Sequence, residues 1–407
     1  MPLPDPDATR RPTGSPLEVL LAFARLGVSA FGGPLAHLGY FRAEFVVRRR
    51  WLGEAAFADL VALCQILPGP ASSQVGFSIG LLRAGYPGAL AAWTAFTLPS
   101  AAALLAFAYG AHVLADPLGQ GLLHGLQLAA VAVVAQAVYA MAPRLCPDGA
   151  RAAIAIAAML VMLFRASAAA PVLAMGVGGL GGWWLCRAKA PGLSAEPFIR
   201  VSRRVGLTAL LAFFALLVAL PVLRGVTHSQ DLAVLDAFYR SGALVFGGGH
   251  VVLPLLRDAV VVPGWVTDQS FLSGYGAAQA VPGPLFSFAA YLGAVLSIGP
   301  GGIRGAALAL VAIYIPGLLL LVGALPFWQA LRRQSRAQSV LAGVNAAVVG
   351  LLAAALYDPI WTSAVRSRGD FAVAALGFLL LTVWRAPPLL AVLTSAIGGM
   401  ALSVLPV

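Results

Sequence analysis

Polar and apolar positions divide this chain into long apolar runs separated by short polar joints. The clearest apolar windows are 89–113, 118–141, 168–186, 206–223, 303–327, 340–356, 371–383 and 389–404. Most are near the ~20 residues that a helix needs to cross the hydrocarbon of a bilayer. The runs are continuous rather than alternating, so they predict helices and not barrel strands. Two places interrupt the pattern in the same way. "CQILPGPASS" (64–73) and "AQAVPGPLFS" (278–287) each place Pro-Gly-Pro inside an apolar region, with Gln65 and Gln279 three residues ahead. Three helix breakers in a row end a helix.

The two breaks belong to a longer repeat. "FARLGVSAFGGP" (23–34) aligns with "FYRSGALVFGGG" (238–249) at a shift of 215, pairing Phe23 with Phe238, Arg25 with Arg240 and Phe31 with Phe246. Gly32 and Gly33 pair with Gly247 and Gly248, and Arg42 pairs with Arg257. "WLGEAAF" (51–57) then aligns with "WVTDQSF" (265–271), and Pro68, Gly69 and Pro70 with Pro282, Gly283 and Pro284. Gly88 and Pro99 pair with Gly305 and Pro316 at a shift of 217. Agreement at Arg, Trp, Gln and Pro-Gly-Pro in one order marks a tandem duplication. The predicted organisation is a disordered tail at 1–16, a first membrane repeat at 17–190, a basic linker with one extra span at 191–229, and a second repeat at 230–407.

Composition agrees. Of 407 residues, 60% are hydrophobic and 10% charged, and the mean hydropathy is +0.90; soluble chains carry nearer 25% charge. The fold class expected is an all-α polytopic membrane protein of two homologous repeats, each with a Pro-Gly-Pro-broken helix, and about 12–13 membrane segments. The extra span favours inverted repeats if each Pro-Gly-Pro segment is one broken crossing; hairpins there would make a parallel arrangement, and loop charges fit both. The net charge of +11 is arginine in short loops, the pattern of topogenic charge, so nucleic acid is not expected. Cys64, Cys146 and Cys186 have no metal-binding spacing. No metal or cofactor is expected, and no P-loop, flavin or haem pattern marks an enzyme.

The chemistry points to anions. Non-helical backbone at membrane depth is tolerated only inside protein or along a wet cavity. A helix that restarts after such a break begins with unpaired N–H groups and the positive end of its dipole. Ser72 and Ser73 in one half and Ser287 in the other add hydroxyls. Arg25 and Arg240 either face an oxyanion with their planar donor forks, or snorkel or pair with Asp59 or Asp236. The candidate anion ligands are therefore Arg25, Arg240, Gln65, Gln279, Gly69, Gly283, Ser72, Ser73, Ser287 and His37. His37 faces Val252 in the repeat and is weaker. Asp59, replaced by Ser273, carries a coupling proton or neutralises an arginine. Glu54 and Asp268, beside Trp51 and Trp265, read as helix starts at an interface.

The strings "SAFGGPLAHLGYFRAEFV", "RRRWLGEAAFADLVALCQILPGPASSQVGFSIG" and "FGGGHVVLPLL…W…QAVPGPLFSFAAYLGA" resemble the CHR chromate ion transporter family in its long form of two homologous halves. The resemblance covers nearly the whole chain from residue 17. It implies a multi-pass inner-membrane protein of bacteria or archaea that exports chromate and confers chromate resistance, with halves of opposite orientation. Arg25, Phe31, Gly32, Gly33, Pro34, His37, Arg42, Glu44, Trp51, Gln65, Pro68, Gly69 and Pro70 fall in the first motif. Phe246, Gly247, Gly248, Gly249, Gln279, Pro282, Gly283 and Pro284 fall in the second, which departs by Gly249 for Pro34 and by lacking the histidine. The expected partners are chromate, with sulfate as its near-isostere, the lipid bilayer and a second copy in a homodimer. A sulfate or other oxyanion permease and a passive anion channel are the alternatives.

Overall fold

The computed structural model describes residues 14–31, 33–110, 116–164, 170–186, 201–246, 251–328 and 334–404. The tail at 1–13 and much of the basic linker lie outside these, as do Gly32, Gly247, Gly248 and Gly249. Among the described residues every regular element is helical. The first half contains α1 (Pro16–Ser29), α2 (Gly33–Phe41, continued by a π-helical turn Arg42–Arg48), α3 (Glu54–Ile66), α4 (Ala71–Gly110), α5 (Pro117–Leu145), α6 (Gly149–Phe164) and α7 (Ala170–Leu185). Helix α8 (Arg203–Thr227) is the extra span. The second half contains α9 (Gln230–Ala243), α10 (Val252–Val260), α11 (Asp268–Ala280), α12 (Phe288–Val295), α13 (Gly302–Ala324), α14 (Ser335–Ala355), α15 (Arg368–Thr382) and α16 (Pro388–Val404).

The halves correspond helix for helix once α4 is set against α12 plus α13. Helix α4 is continuous only in outline. At Ala84 and Gly85 the backbone leaves helical geometry, with Gly85 at φ 64°, and the chain doubles back until Gly80 rests on the backbone of Gly88. Gly293 and Gly305 make the matching contact between α12 and α13. Glycine is required in these pairs because a Cβ would enter the facing backbone.

Two further reversals shape each half. Phe23 of α1 lies 5.6 Å from Phe41 of α2 and stacks 4.7 Å from Phe45, so α1 and α2 form a hairpin. In the second half Ser241 Oγ of α9 reaches the carbonyl of Leu255 of α10 at 3.4 Å. Helices α11 and α12 fold back about Pro-Gly-Pro: the Tyr291 hydroxyl donates to the carbonyl of Ser270 at 3.0 Å, and Phe271 lies 5.3 Å from Phe288. The ring of Tyr291 occupies the place a side chain on Gly274 would take. The second Pro-Gly-Pro is therefore the tip of a half-length hairpin and not the middle of a broken crossing. Among the described residues five helices are long and apolar enough to cross a membrane: α4, whose stretch beyond the bend at Ala84 and Gly85 is the longer part, α5, α8, α13 with its short extension, and α14 with the turns that follow it. Shorter apolar helices include α6, α7 and α16. Helix α6 escaped the sequence windows because it is short and begins beside Asp148 and Arg151.

The halves exchange partners. Helix α5 packs along α15 and α16 of the second half, and its counterpart α14 packs along α6 and α7 of the first. One apolar core consequently includes Leu128 and Val134 of α5 with Leu351 and Leu352 of α14. A second core gathers Phe23, Phe41, Phe45, Trp51 and Phe96, and takes in Leu321 and Trp328 of the second half. Each half thus completes the other.

Candidate functional site

The two Pro-Gly-Pro tips set the geometry. Gly69 has φ 120° and Gly283 has φ 103°, a region that side chains with a Cβ avoid. Each glycine N–H, released from helical bonding, is used across the halves. Gly69 donates to the carbonyl of Val245 at 2.7 Å, and Gly283 donates to the carbonyl of Ala30 at 2.9 Å. Val245 and Ala30 are repeat equivalents just beyond the ends of α9 and α1. Space is equally restricted. A Cβ on Gly69 would lie 2.8 Å from the Cα of Gly317, and one on Gly283 would lie 2.9 Å from Ser100 Oγ. Gly317 and Ser100 are again equivalents, each following a matched proline. Pro70 and Pro284 are buried; Pro68 and Pro282 are partly so.

The residues around the tips are not symmetric. His37 is fully buried; Nε2 lies 3.2 Å from the carbonyl of Ala30 and Nδ1 3.4 Å from Ser72 Oγ. A carbonyl accepts only, so Nε2 carries the proton and the Ser72 hydroxyl donates to Nδ1. The ring of Phe96 packs edge-on at 5.2 Å. Val252, the counterpart of His37, is apolar. Gln74 is fully buried, and its amide donates to the carbonyls of Pro68 at 2.9 Å and Gly317 at 2.8 Å. Phe288 stands in its place in the second half.

Beside the tips lies a buried set of hydroxyls. Tyr314 of α13 stands against Ser73, Thr97 and Ser287. Ser73 and Ser287 are repeat equivalents, and so are Thr97 and Tyr314. Pairs of equivalents that converge on one point lie near the axis that relates the halves. Ser287 Oγ is 2.6 Å from Ser100 Oγ, which also donates to the carbonyl of Thr97 at 2.9 Å. Trp93 packs edge-on to Tyr314 with ring centroids 5.4 Å apart.

The arginines lie elsewhere. Arg25 is on an exposed face of α1 and makes no ion pair among the described residues. Arg240 Nε donates to Asp236 Oδ1 at 2.6 Å, with the arginine side chain 47% exposed. Arg224 also reaches Asp236, at 3.5 Å. Of the two readings of Arg240, pairing with Asp236 is the observed one; periodicity could not assign the face because both helices end at a hairpin tip. Gln65 is exposed, whereas Gln279 is half-buried with its amide nitrogen unpartnered. Asp59 is half-buried on α3 and has an interaction partner. Gly33 has φ 74° at the start of α2, which accounts for its glycine.

The motif arginines outside the tips form matched ion pairs. Arg42 holds Glu54 through Nε at 3.0 Å and Nη2 at 2.5 Å. Arg257 holds Asp268 through Nε at 3.0 Å and Nη2 at 3.3 Å. Each ties a hairpin arm to the start of the next helix, so Glu54 and Asp268 mark helix starts. No metal-binding group of His, Cys, Asp or Glu occurs among the described residues. Gln74, Trp93, Thr97, Ser100 and Tyr314 were not singled out from sequence. The available signal was their position: Thr97 and Tyr314 each stand two residues before a matched proline, as polar residues inside apolar windows.

A duplicated all-α membrane protein whose breaks meet at an internal axis has the organisation of a repeat-built transporter. The chain matches the family described as "Chromate transporter" over residues 17–183 and 232–400, and it belongs to that family. It is 27% identical to the chromate transport protein of Pseudomonas aeruginosa over 398 residues, which is 93% of this chain and 91% of that one. It is 28% identical to a probable chromate transport protein of Synechococcus elongatus, over 82% of each. A chromate transport protein of Cupriavidus metallidurans is 26% identical over 85% of this chain and 82% of that one. No solved structure matches. The protein is a multi-pass integral membrane protein.

Proposed function

We propose that this protein is a secondary transporter that exports the chromate dianion across the inner membrane, and that the two Pro-Gly-Pro tips form its translocation site. The observation that carries the reading is the reciprocal pair of bonds, Gly69 to Val245 and Gly283 to Ala30. Four hairpin tips, two from each half, meet there. Backbone that is irregular and not exposed to lipid is where such proteins bind their cargo. The names of the relatives supply chromate as the substrate.

In this reading the driving force is an ion gradient or the membrane potential. Expelling a dianion from a cell negative inside is favoured by about 2.3 kcal/mol per charge per 100 mV. Export therefore needs no obligatory coupling ion. Arg25 and Arg240, exposed beside the tips of α1 and α9, collect the anion from solution rather than hold it within the site. The halves lie in opposite orientations. The half-length hairpins return the chain to the side it entered, the part of α4 beyond Gly85 with α5, α6 and α7 makes four crossings, and α8 makes the sum odd; α6, absent from the apolar windows, reverses the parity that hairpins implied from sequence.

Uptake of radiolabelled chromate into inside-out vesicles, with and without an imposed potential, tests the reading. Potential-dependent uptake that sulfate competes for supports a shared dianion site. Potential-dependent sulfate uptake without chromate uptake makes the protein a sulfate permease. Flux of chromate in both directions at the same rate, never above its electrochemical gradient, makes it a channel.

A further inference from the structure

We propose that the oxyanion is held by uncharged hydroxyls on the axis relating the halves, those of Tyr314, Ser73, Thr97 and Ser287, with the indole N–H of Trp93 beside them. The inference rests on the transport reading above and assigns ligands within that site.

The first ground is cost. Ser73, Thr97 and Tyr314 are each no more than 2% exposed. The Trp93 N–H has no hydrogen-bond partner, and the hydroxyls of Ser73, Thr97 and Tyr314 lie against one another without forming a bond of full hydrogen-bond geometry. Burying such a group without a partner costs free energy that Ala, Val or Phe would avoid. Native interiors satisfy nearly all buried polar groups. Several buried donors that converge on one point without well-formed bonds are a set of ligands in waiting.

The second ground is position. Ser73 lies in the first turn of the helix that restarts after Pro70, where backbone N–H groups and the positive end of the dipole also point. Ser287 stands at the same place after Pro284. Two helix starts, from two halves, therefore flank the cluster. The larger reach of Tyr314, at the position Thr97 takes in the first half, puts a second-half hydroxyl against a first-half serine.

The third ground is chemistry. A fully ionised tetrahedral oxyanion offers only acceptors. Each hydroxyl can turn its proton toward it, and hydrogen bonds to a charged group are about twice as strong as neutral ones. An arginine in the site would add a full countercharge and hold the anion tightly. Neutral donors bind a dianion strongly enough to admit it and weakly enough to release it, which transport requires. The hydroxyls approach one another closely, as the 2.6 Å separation of Ser100 and Ser287 shows. Admitting an anion therefore parts the two tips, and the contacts that part are the ones between halves.

The test is equilibrium binding of radiolabelled chromate and sulfate to the purified full-length protein, alongside its unliganded melting temperature. Tyr314→Phe keeps the ring and removes one hydroxyl; Thr97→Val and Ser287→Ala do the same elsewhere. Each is expected to weaken chromate binding about tenfold or more while leaving the melting temperature unchanged or raised, because an unsatisfied polar group has been removed. Unchanged binding in Tyr314→Phe and Thr97→Val would overturn the proposal. So would a lowered melting temperature with unchanged affinity, which marks a structural hydroxyl. Binding of sulfate but not chromate, abolished by Tyr314→Phe, would keep the hydroxyl site and overturn chromate as the substrate. Binding of neither anion would overturn both.

Discussion

Gly69 of the first half donates its backbone N–H to the carbonyl of Val245 in the second at 2.7 Å, and the repeat equivalents of both residues, Gly283 and Ala30, make the same bond in reverse at 2.9 Å. A duplication that had produced two independent domains would have no use for such a pair. The bonds show that each Pro-Gly-Pro tip is seated on the other half, so motion at one tip is felt by the other.

Gln74 holds this junction on one side only. Its amide bonds the carbonyls of Pro68 and Gly317. Replacing it with Leu leaves the buried carbonyl of Gly317 and the partly buried carbonyl of Pro68 without their donor, and an orphaned buried group costs about 1–3 kcal/mol. Gln74→Leu is expected to destabilise the protein by about 2 kcal/mol. Phe288→Leu, at the equivalent position, removes no hydrogen bond and is expected to cost less. Thermal unfolding of the two variants in detergent checks the difference.

The orientation of the halves is open to labelling. The joints after the first hairpins, which contain Arg50 in one half and Val262 in the other, occupy matching places in the repeats near the ion pairs Arg42–Glu54 and Arg257–Asp268. A single cysteine placed at Arg50 or at Val262, in a variant lacking Cys64, Cys146 and Cys186, is expected to react with an impermeant thiol reagent from opposite sides of the membrane. Reaction of both from one side would make the repeats parallel.

Arg25 and Arg240 are expected to separate by their partners. Arg240→Ala leaves Asp236, whose side chain is 6% exposed, with only Arg224 at 3.5 Å, and lowers the melting temperature. Arg25→Ala, with no ion pair to break, leaves it unchanged. Both variants are expected to slow chromate uptake at low ionic strength, with the difference shrinking at high salt, as befits exposed collecting charges. A salt-independent loss of uptake would place Arg25 among the ligands.

The repeat was legible in sequence because it is written in residues that an apolar chain uses sparingly. Trp51 and Trp265, Arg42 and Arg257, and the two Pro-Gly-Pro strings align without help from Ala or Leu. The long spans were legible for the reason that lipid demands them. Whether Pro-Gly-Pro sat within a crossing or at a hairpin tip was not, because both place apolar residues on both sides. The contacts of Tyr291 with Gly274 and Ser270 decide it, and those depend on which faces meet. The hydroxyl cluster was hidden similarly. Thr97 and Tyr314 are unlike residues at equivalent places, so similarity between repeats passes over them. Arg25 and Arg240, conspicuous as charges in apolar segments, turned out to sit on exposed faces. Charge in a membrane sequence signals a constraint without saying which side of the helix meets it.

The most direct test of the central claim, that both tips build one site, is chromate uptake by vesicles containing Gly69→Ala or Gly283→Ala. A Cβ at either position meets a facing atom at under 3 Å and strains the positive φ. The account predicts that each substitution alone, in protein that still reaches the membrane, abolishes potential-driven uptake. Uptake at the unaltered rate in either variant would show that one half suffices, and would contradict a site shared between them.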